Sequence, residues 1–223
     1  MLVIIGSLFG GILMGQELIT SARIRNLIAQ QDASKAAFFG FQDRFRAFPG
    51  DYAQATSNIA GVSTTSGCGL SAGNGNGNGN GQIEAATNEM VLAWEHLSKA
   101  GFISGTYTCA AVESNQTTPV NPYGVFVRII YDGNYGISRG GPARHNIKTG
   151  AEVPVAIIAE VDRKIDDGAP YTGGFQFSAF NGNAPVTPAE GDRFPPSCTS
   201  SLTSAALWNA TNGSTNCGGA SLL

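Results

Sequence analysis

The chain has 223 residues, a charged fraction of 13% and a formal net charge of −3. That length suits one domain with an extension, and the charge excludes a nucleic-acid binder relying on a global basic field. Two histidines restrict metal and acid–base chemistry, while 30 glycines with many Ser, Thr and Asn suit a loop-rich extracellular domain rather than a packed cytosolic enzyme.

The first predicted element is a helix. "MLVIIGSLFGGILMG" carries no charge, and Glu17, Arg23 and Arg25 follow it. Fifteen helical residues reach only about 22 Å, short of a bilayer core of roughly 30 Å. A secretory signal would need a basic region ahead of the apolar run. A core helix would have to be covered on every face. The remaining assignment, that the numbering starts inside a longer membrane segment, agrees with the helical pattern continuing past the charges. Ile24, Leu27 and Ile28, then Ala37, Phe38, Phe41, Phe45 and Phe48, recur at helical steps with charges between them. Pro49-Gly50 is expected to end the helix. Residues 1–47 would then form a rod about 70 Å long. Its half 1–19 needs lipid or neighbouring copies, and its half 20–47 can lie on a head formed by residues 48–223.

In "DYAQATSNI", Asp51 is placed to cap a short helix, with Gln54 completing a capping box. Residues 61–81 end in "GNGNGNGNG", which reads as a mobile surface loop. The tract has neither the carboxylates of a calcium-binding nonapeptide repeat nor the lysine of a phosphate loop. "EAATNEMVLAWEHLSKAG" reads as a helix with Met90, Leu92, Trp94 and Leu97 on its apolar side and Gly101 at its end. His96 lies within it as a packing or surface residue. "YGVFVRIIYDGNYGISR" reads as a strand pair turning at Asp132-Gly133-Asn134. "FISGTYTCAAV" and "GGFQFSAF" are further strand candidates, and "GPARHNIKTG" around His145 reads as a loop. "VPVAIIAEVDRKIDDG" repeats Ile158, Val161 and Ile165 at helical spacing. From Pro185 onward the tail is rich in Ser, Thr, Asn and Pro, with Trp208 its largest anchor. The fold class is α+β: a long N-terminal helix against a small antiparallel sheet with extra helices and loops.

Cys68, Cys109, Cys198 and Cys217 contain no C-x-x-C pair, so a zinc ribbon or a thioredoxin-type site is not indicated. Three pairings are open, besides four free thiols. Cys68–Cys109 with Cys198–Cys217, the pairing nearest in sequence, would staple two loop-rich regions, each closure contributing about 3–4 kcal/mol. Disulfides place the head outside the cytoplasm. Arg23 and Arg25 alone would place it inside. No H-E-x-x-H occurs and His96 and His145 are the only histidines, so the reading is not an enzyme.

A long helix, apolar then amphipathic, leading into a cysteine-bearing α+β head resembles the type IV pilin and type II secretion pseudopilin superfamily. "LVIIGSLFGGILMGQELI" is the most specific match, and "FRAFPGDYAQAT", the glycine–asparagine tract, "LAWEHLSKAGFISG" and "DRKIDDGAPYTGG" resemble segments of one pseudopilin-like branch. Precursors of that family carry a short basic leader and a glutamate among the first mature residues. Glu17 lies too far along to be that glutamate, which again reads as an internal start. The leader also carries the cytoplasmic charge, which leaves the cysteines to place the head.

The resemblance implies a structural subunit held in the bacterial inner membrane until assembly machinery extracts it into a periplasmic or extracellular filament. Leu2, Ile5, Gly6, Leu8, Phe9, Ile12, Leu13 and Met14 would build the filament core with copies of the chain. Gly6 and Gly10, and Gly11 and Gly15, stand at small-xxx-small spacing. Alternatives are a minor or tip subunit for adhesion or DNA uptake, and a membrane-anchored periplasmic binding protein. For DNA, the local cluster Arg139, Arg144 and Lys148 could meet phosphate, against a solvated loop. No cofactor is implied except calcium, which some pseudopilin heads bind. Asp162, Asp166 and Asp167 gather at a predicted helix C-terminus, where the dipole disfavours anions, as a calcium set would. The competing assignment pairs them with Arg163 and Lys164 beside a turn at Asp167-Gly168.

Overall fold

The computed structural model describes residues 2–64, 68, 74–137, 141–180, 182, 198–211 and 213–223, and for residues 2–13 the backbone alone. Helix α1 spans Leu2–Phe45, 44 residues. Ile24, Leu27, Gln31, Ser34, Phe38 and Phe41 are its buried positions, with Ala37 beside them. Steps of three and four keep one narrow stripe against the head along five turns. Gln31 and Ser34 sit where the apolar pattern skips, and both are buried. The helix stops earlier than Pro49-Gly50 suggests. Arg46 takes a left-handed φ of 54° and its N–H reaches back to Gln42 O at 2.9 Å, a left-handed cap. The reversal swings Phe48 back to stack on Phe38 at 5.5 Å. Gly50 follows with φ +90°, and a Cβ there would stand 2.3 Å from Glu89 O, so only glycine fits.

After a single turn α2 (Ala55–Asn58) comes α3 (Glu89–Lys99). Helix α3 starts five residues later than "EAATNE" suggests, behind Asn88 in the left-handed region, and every residue from Glu89 to Leu97 is buried. Strands β1 (Arg128–Asp132) and β2 (Arg144–Lys148), helix α4 (Val155–Ile165), and strands β3 (Phe175–Phe177) and β4 (Gly219–Leu222) complete the order. The sheet is antiparallel, β1-β2-β4-β3, with Ile129 opposite Ile147, Asn146 opposite Leu222 and Phe175 opposite Ser221.

One sheet face meets the helices. Phe38 and Phe41 pack with Trp94, Leu97, Ile129 and Ile147, while Ile24 and Leu27 pack with Val155, Ile158, Val161, Phe175 and Trp208. Helix α1 therefore backs both halves of the core. The other face holds Arg128, Asp132, Asn146 and Lys148 in register, and it is closed by ion pairs rather than by apolar packing.

Several strand expectations are corrected. Asp132-Gly133-Asn134 does end β1, with Asn134 N on Asp132 Oδ1 at 3.1 Å. Its partner, though, is the stretch around His145 that reads as a loop, not the residues directly after the turn. "FISGTYTCAAV" forms no strand; its backbone is tied by Ser98, whose Oγ donates to Gly105 O and accepts from Tyr107 N. The polar tail supplies the inner strand β4.

The glycine–asparagine tract is not a mobile loop across its described part, Asn74–Gly81. Asp51 Oδ1 accepts from Gly79 N at 2.7 Å and Asn80 N at 3.0 Å, and Oδ2 from Gly81 N at 2.8 Å. Glu89 accepts from Asn78 N at 2.9 Å and Glu84 N at 3.1 Å. Successive asparagines accept the N–H two residues on: Asn74 from Asn76, Asn78 from Asn80, Asn80 from Gln82. These are Asx turns, and the alternating glycines let the backbone close on Asp51, since a Cβ on Gly77 would stand 2.2 Å from its carbonyl carbon. Asp51 thus serves the tract instead of capping α2, whose N-cap Gln54 makes no side-chain capping bond. Burial pushes the carboxyls of Asp51 and Glu89 up, against the backbone bonds that lower them.

Candidate functional site

The first residue of helix α1 described as buried is Ile24. Ahead of that point Met14, Leu18 and Ile19 are 71%, 68% and 57% exposed. Three large apolar side chains standing free on one helix mark a surface made to be covered. Glu17 stands exposed among them and makes no ion pair among the described residues. Arg23 lies over the Tyr123 ring at 4.8 Å, and Arg25 Nε bonds Ser21 O at 3.3 Å. The side chains of Leu2, Ile5, Leu8, Phe9, Ile12 and Leu13, and the packing at Gly6, lie outside the described residues. Among the described residues no helix is long and apolar enough to cross a membrane.

Two disulfides join Cys68 to Cys109 and Cys198 to Cys217, the sequence-nearest pairing. The first ties the segment before the tract to the stretch after α3. The second closes the loop that carries Trp208.

At the end of α4, Asp162, Asp166 and Asp167 do converge, each offering a ligand atom within 4.8 Å of the others. The chain's own donors already occupy them. Asp162 accepts from Trp208 Nε1 at 2.6 Å and Gly168 N at 3.3 Å; Asp166 from Phe175 N at 2.7 Å. Asp167 accepts from Ala169 N at 2.9 Å and from the Thr172 hydroxyl. Burial raises the Asp162 carboxyl to about 6, with smaller contributions from Asp167 and Asp166, against the lowering bonds from Trp208 and Gly168. Arg163 and Lys164 do not pair with these aspartates as the competing assignment has it: both turn to Glu160, Lys164 at 3.3 Å. The carboxylates therefore work as acceptors that fasten the α4–β3 turn and the tail. Calcium needs six to eight oxygens; the three carboxylates offer six, and five donors of the chain use part of their accepting capacity. A calcium titration of the oxidised chain is expected to leave its melting temperature unchanged if the carboxylates serve only these donors; a rise at millimolar calcium would support the metal assignment.

The basic cluster is also rearranged. Arg139 lies outside the described residues, and Arg144 is exposed at the start of β2. Lys148 is fully buried, with Nζ on Asp132 Oδ2 at 2.7 Å. It is a core ion pair and is not presented to a phosphate.

The two histidines flank the exit of α1. His96 accepts at Nδ1 from Gly50 N at 2.9 Å, which leaves Nε2–H to donate to Gly75 O at 2.8 Å. His145 packs among Phe48, Tyr131 and Phe38, ring centres 4.2, 5.0 and 5.4 Å away. Burial lowers both imidazoles to about 4, so both are neutral at pH 7. Neither the Trp208–Asp162 bond nor the Asp51 latch was visible in sequence: the partners stand 46 and about 30 positions apart with no shared motif. Comparison of the chain with protein-family models, with curated proteins and with solved structures finds no match.

Proposed function

We propose that the chain is a structural subunit of a bacterial pilus-like or type II secretion pseudopilus filament, with a pilin-like arrangement of helix and head. It is held in the inner membrane before assembly, and the free half of α1 then bundles with copies of itself while the heads face outward. One observation carries this reading: α1 continues about 33 Å ahead of Ile24, its first residue described as buried, and its described part there exposes Met14, Leu18 and Ile19. A 44-residue helix needs no such extension to complete the core it backs. Residues 2–13 carry no charge and are apolar except for Ser7, so the extension requires an apolar surrounding, first lipid and then neighbouring helices. Two disulfides suit a head outside the cytoplasm.

Leu8→Asp tests the reading. A carboxylate in that position costs about 3 kcal/mol in an apolar surrounding, which corresponds to about a hundredfold loss of assembled material. Sheared surface filaments, viewed by electron microscopy, are expected to disappear. The melting temperature of the detergent-solubilised variant is expected to match the parent, because residue 8 lies about 24 Å along the helix from Ile24, the first residue described as buried. Filaments at parental yield overturn the proposal. So does an intact chain that purifies without detergent as a compact monomer.

A further inference from the structure

We infer that neighbouring subunits of this filament are registered by an ion pair between Glu17 of one copy and Arg23, flanked by Arg25, of the next, which sets their axial offset at about 9–12 Å. The inference rests on the filament reading and adds to it a partner face and a stagger. From Met1 to Gln31 the sequence holds three charges, Glu17, Arg23 and Arg25. Glu17 sits between Met14, Leu18 and Ile19 on the free part of α1 and forms no ion pair among the described residues. Bundling would carry its carboxylate out of water. An unpaired buried charge is strongly destabilising, so a cation must meet it.

Its own helix does not provide one. Arg23 and Arg25 lie six and eight residues on, about 9 and 12 Å along the axis, whereas side chains meet along a helix at spacings of three or four. Lys35, the next cation in sequence, stands about 27 Å above Glu17. A second parallel copy displaced by six to eight residues brings an arginine level with the carboxylate. At 3.6 residues per turn, Arg23 lies about 120° around the axis from Glu17 and Arg25 about 80°. Parallel neighbours present roughly opposite faces, so Arg23 is the better placed.

The arginines are also held ready. Arg23 is fixed at its height by the Tyr123 ring at 4.8 Å, and Arg25 by Ser21 O at 3.3 Å, while both remain exposed. The charge order rejects the unshifted arrangement, in which Glu17 would face Glu17 and arginine would face arginine.

The test uses the full chain in its native membrane. Among the described residues no cysteine is free, so introduced cysteines report alone. Cells co-expressing a Glu17→Cys chain and an Arg23→Cys chain are expected to give oxidised cross-linked dimers in sheared filaments, and neither variant alone is expected to do so. Glu17→Arg is expected to cut filament yield about tenfold, the effect of about 1.4 kcal/mol per contact, and adding Arg23→Glu to the same chain is expected to restore it. Filaments that form without the mixed cross-link, or Glu17→Arg filaments at parental yield, overturn the ion pair and leave the filament reading standing. Absence of filaments from the parent chain overturns both.

Discussion

Arg128→Met is expected to destabilise the folded chain by about 3–5 kcal/mol, because it strands a buried carboxylate. Arg128 Nε bonds Glu113 Oε1 at 2.9 Å and its terminal nitrogen bonds Oε2 at 2.8 Å, a two-pronged pair. The two side chains are only 6% and 2% exposed, so solvent cannot replace the lost partner. The guanidinium also lies 4.0 Å from the centre of the Phe180 ring, which loses that contact. Met fills much of the volume, so the loss reports charge rather than a cavity. Glu113→Leu in the Arg128→Met background is expected to recover most of it, since a well-packed apolar pair can match a buried ion pair. Urea unfolding of the oxidised chain measures all four members of the cycle. A single-variant loss below about 1 kcal/mol, the range of exposed pairs, would show that water reaches Glu113.

That pair illustrates what the sequence could and could not disclose. The apolar stripes of α1 and α4 follow a local period, and neighbours three and four residues apart decide them; Ile24, Leu27, Phe38, Phe41, Ile158 and Val161 are buried accordingly. Strand β2, "RHNIK", reads as loop because two of its buried residues are Asn146 and Lys148. Asp132 helps make both acceptable inside, taking Asn146 Nδ2 at 2.9 Å and Lys148 Nζ at 2.7 Å. Their partner is in another strand, and no period connects them. Strand β4, "GASL", is short and small, and it owes its inner place to pairing on both sides rather than to its own propensity.

The glycine–asparagine tract failed in the other direction. Its composition is that of a solvated linker, and what orders it are carboxylates remote in sequence, Asp51 about 30 positions earlier and Glu89 about ten later. At the acidic turn, sequence brought the three aspartates together correctly but supplied the wrong partners. Arg163 and Lys164 are the nearest cations in sequence, yet their side chains follow the helix back to Glu160, three and four residues earlier.

The second large effect is on acid stability. His96 is fully buried, and its imidazole is lowered from an ordinary 6.5 to about 4. A base whose folded pKa lies below its unfolded one contributes stability that is complete above about pH 6.5. The contribution falls as pH drops, because the unfolded chain takes up the proton first, and it levels off below about pH 4. The loss across that window amounts to about 3 kcal/mol. Protonation also gives Nδ1 a hydrogen where it now accepts from Gly50 N, so the turn at the end of α1 is the first element to feel it. His145 acts with the same sign. Asp162 acts with the opposite sign: its raised carboxyl makes the fold gain stability as pH falls below about 6. The bare pH profile therefore mixes the two. Comparison with His96→Gln, whose amide can still donate to Gly75 O, cancels the aspartate contribution common to both chains. The stability gap between parent and variant is expected to narrow by about 3 kcal/mol between pH 7 and pH 4 in urea titrations. A gap independent of pH would mean that the His96 ring keeps its ordinary affinity for a proton inside the fold, and that the packing around Gly50 and Gly75 is open to water.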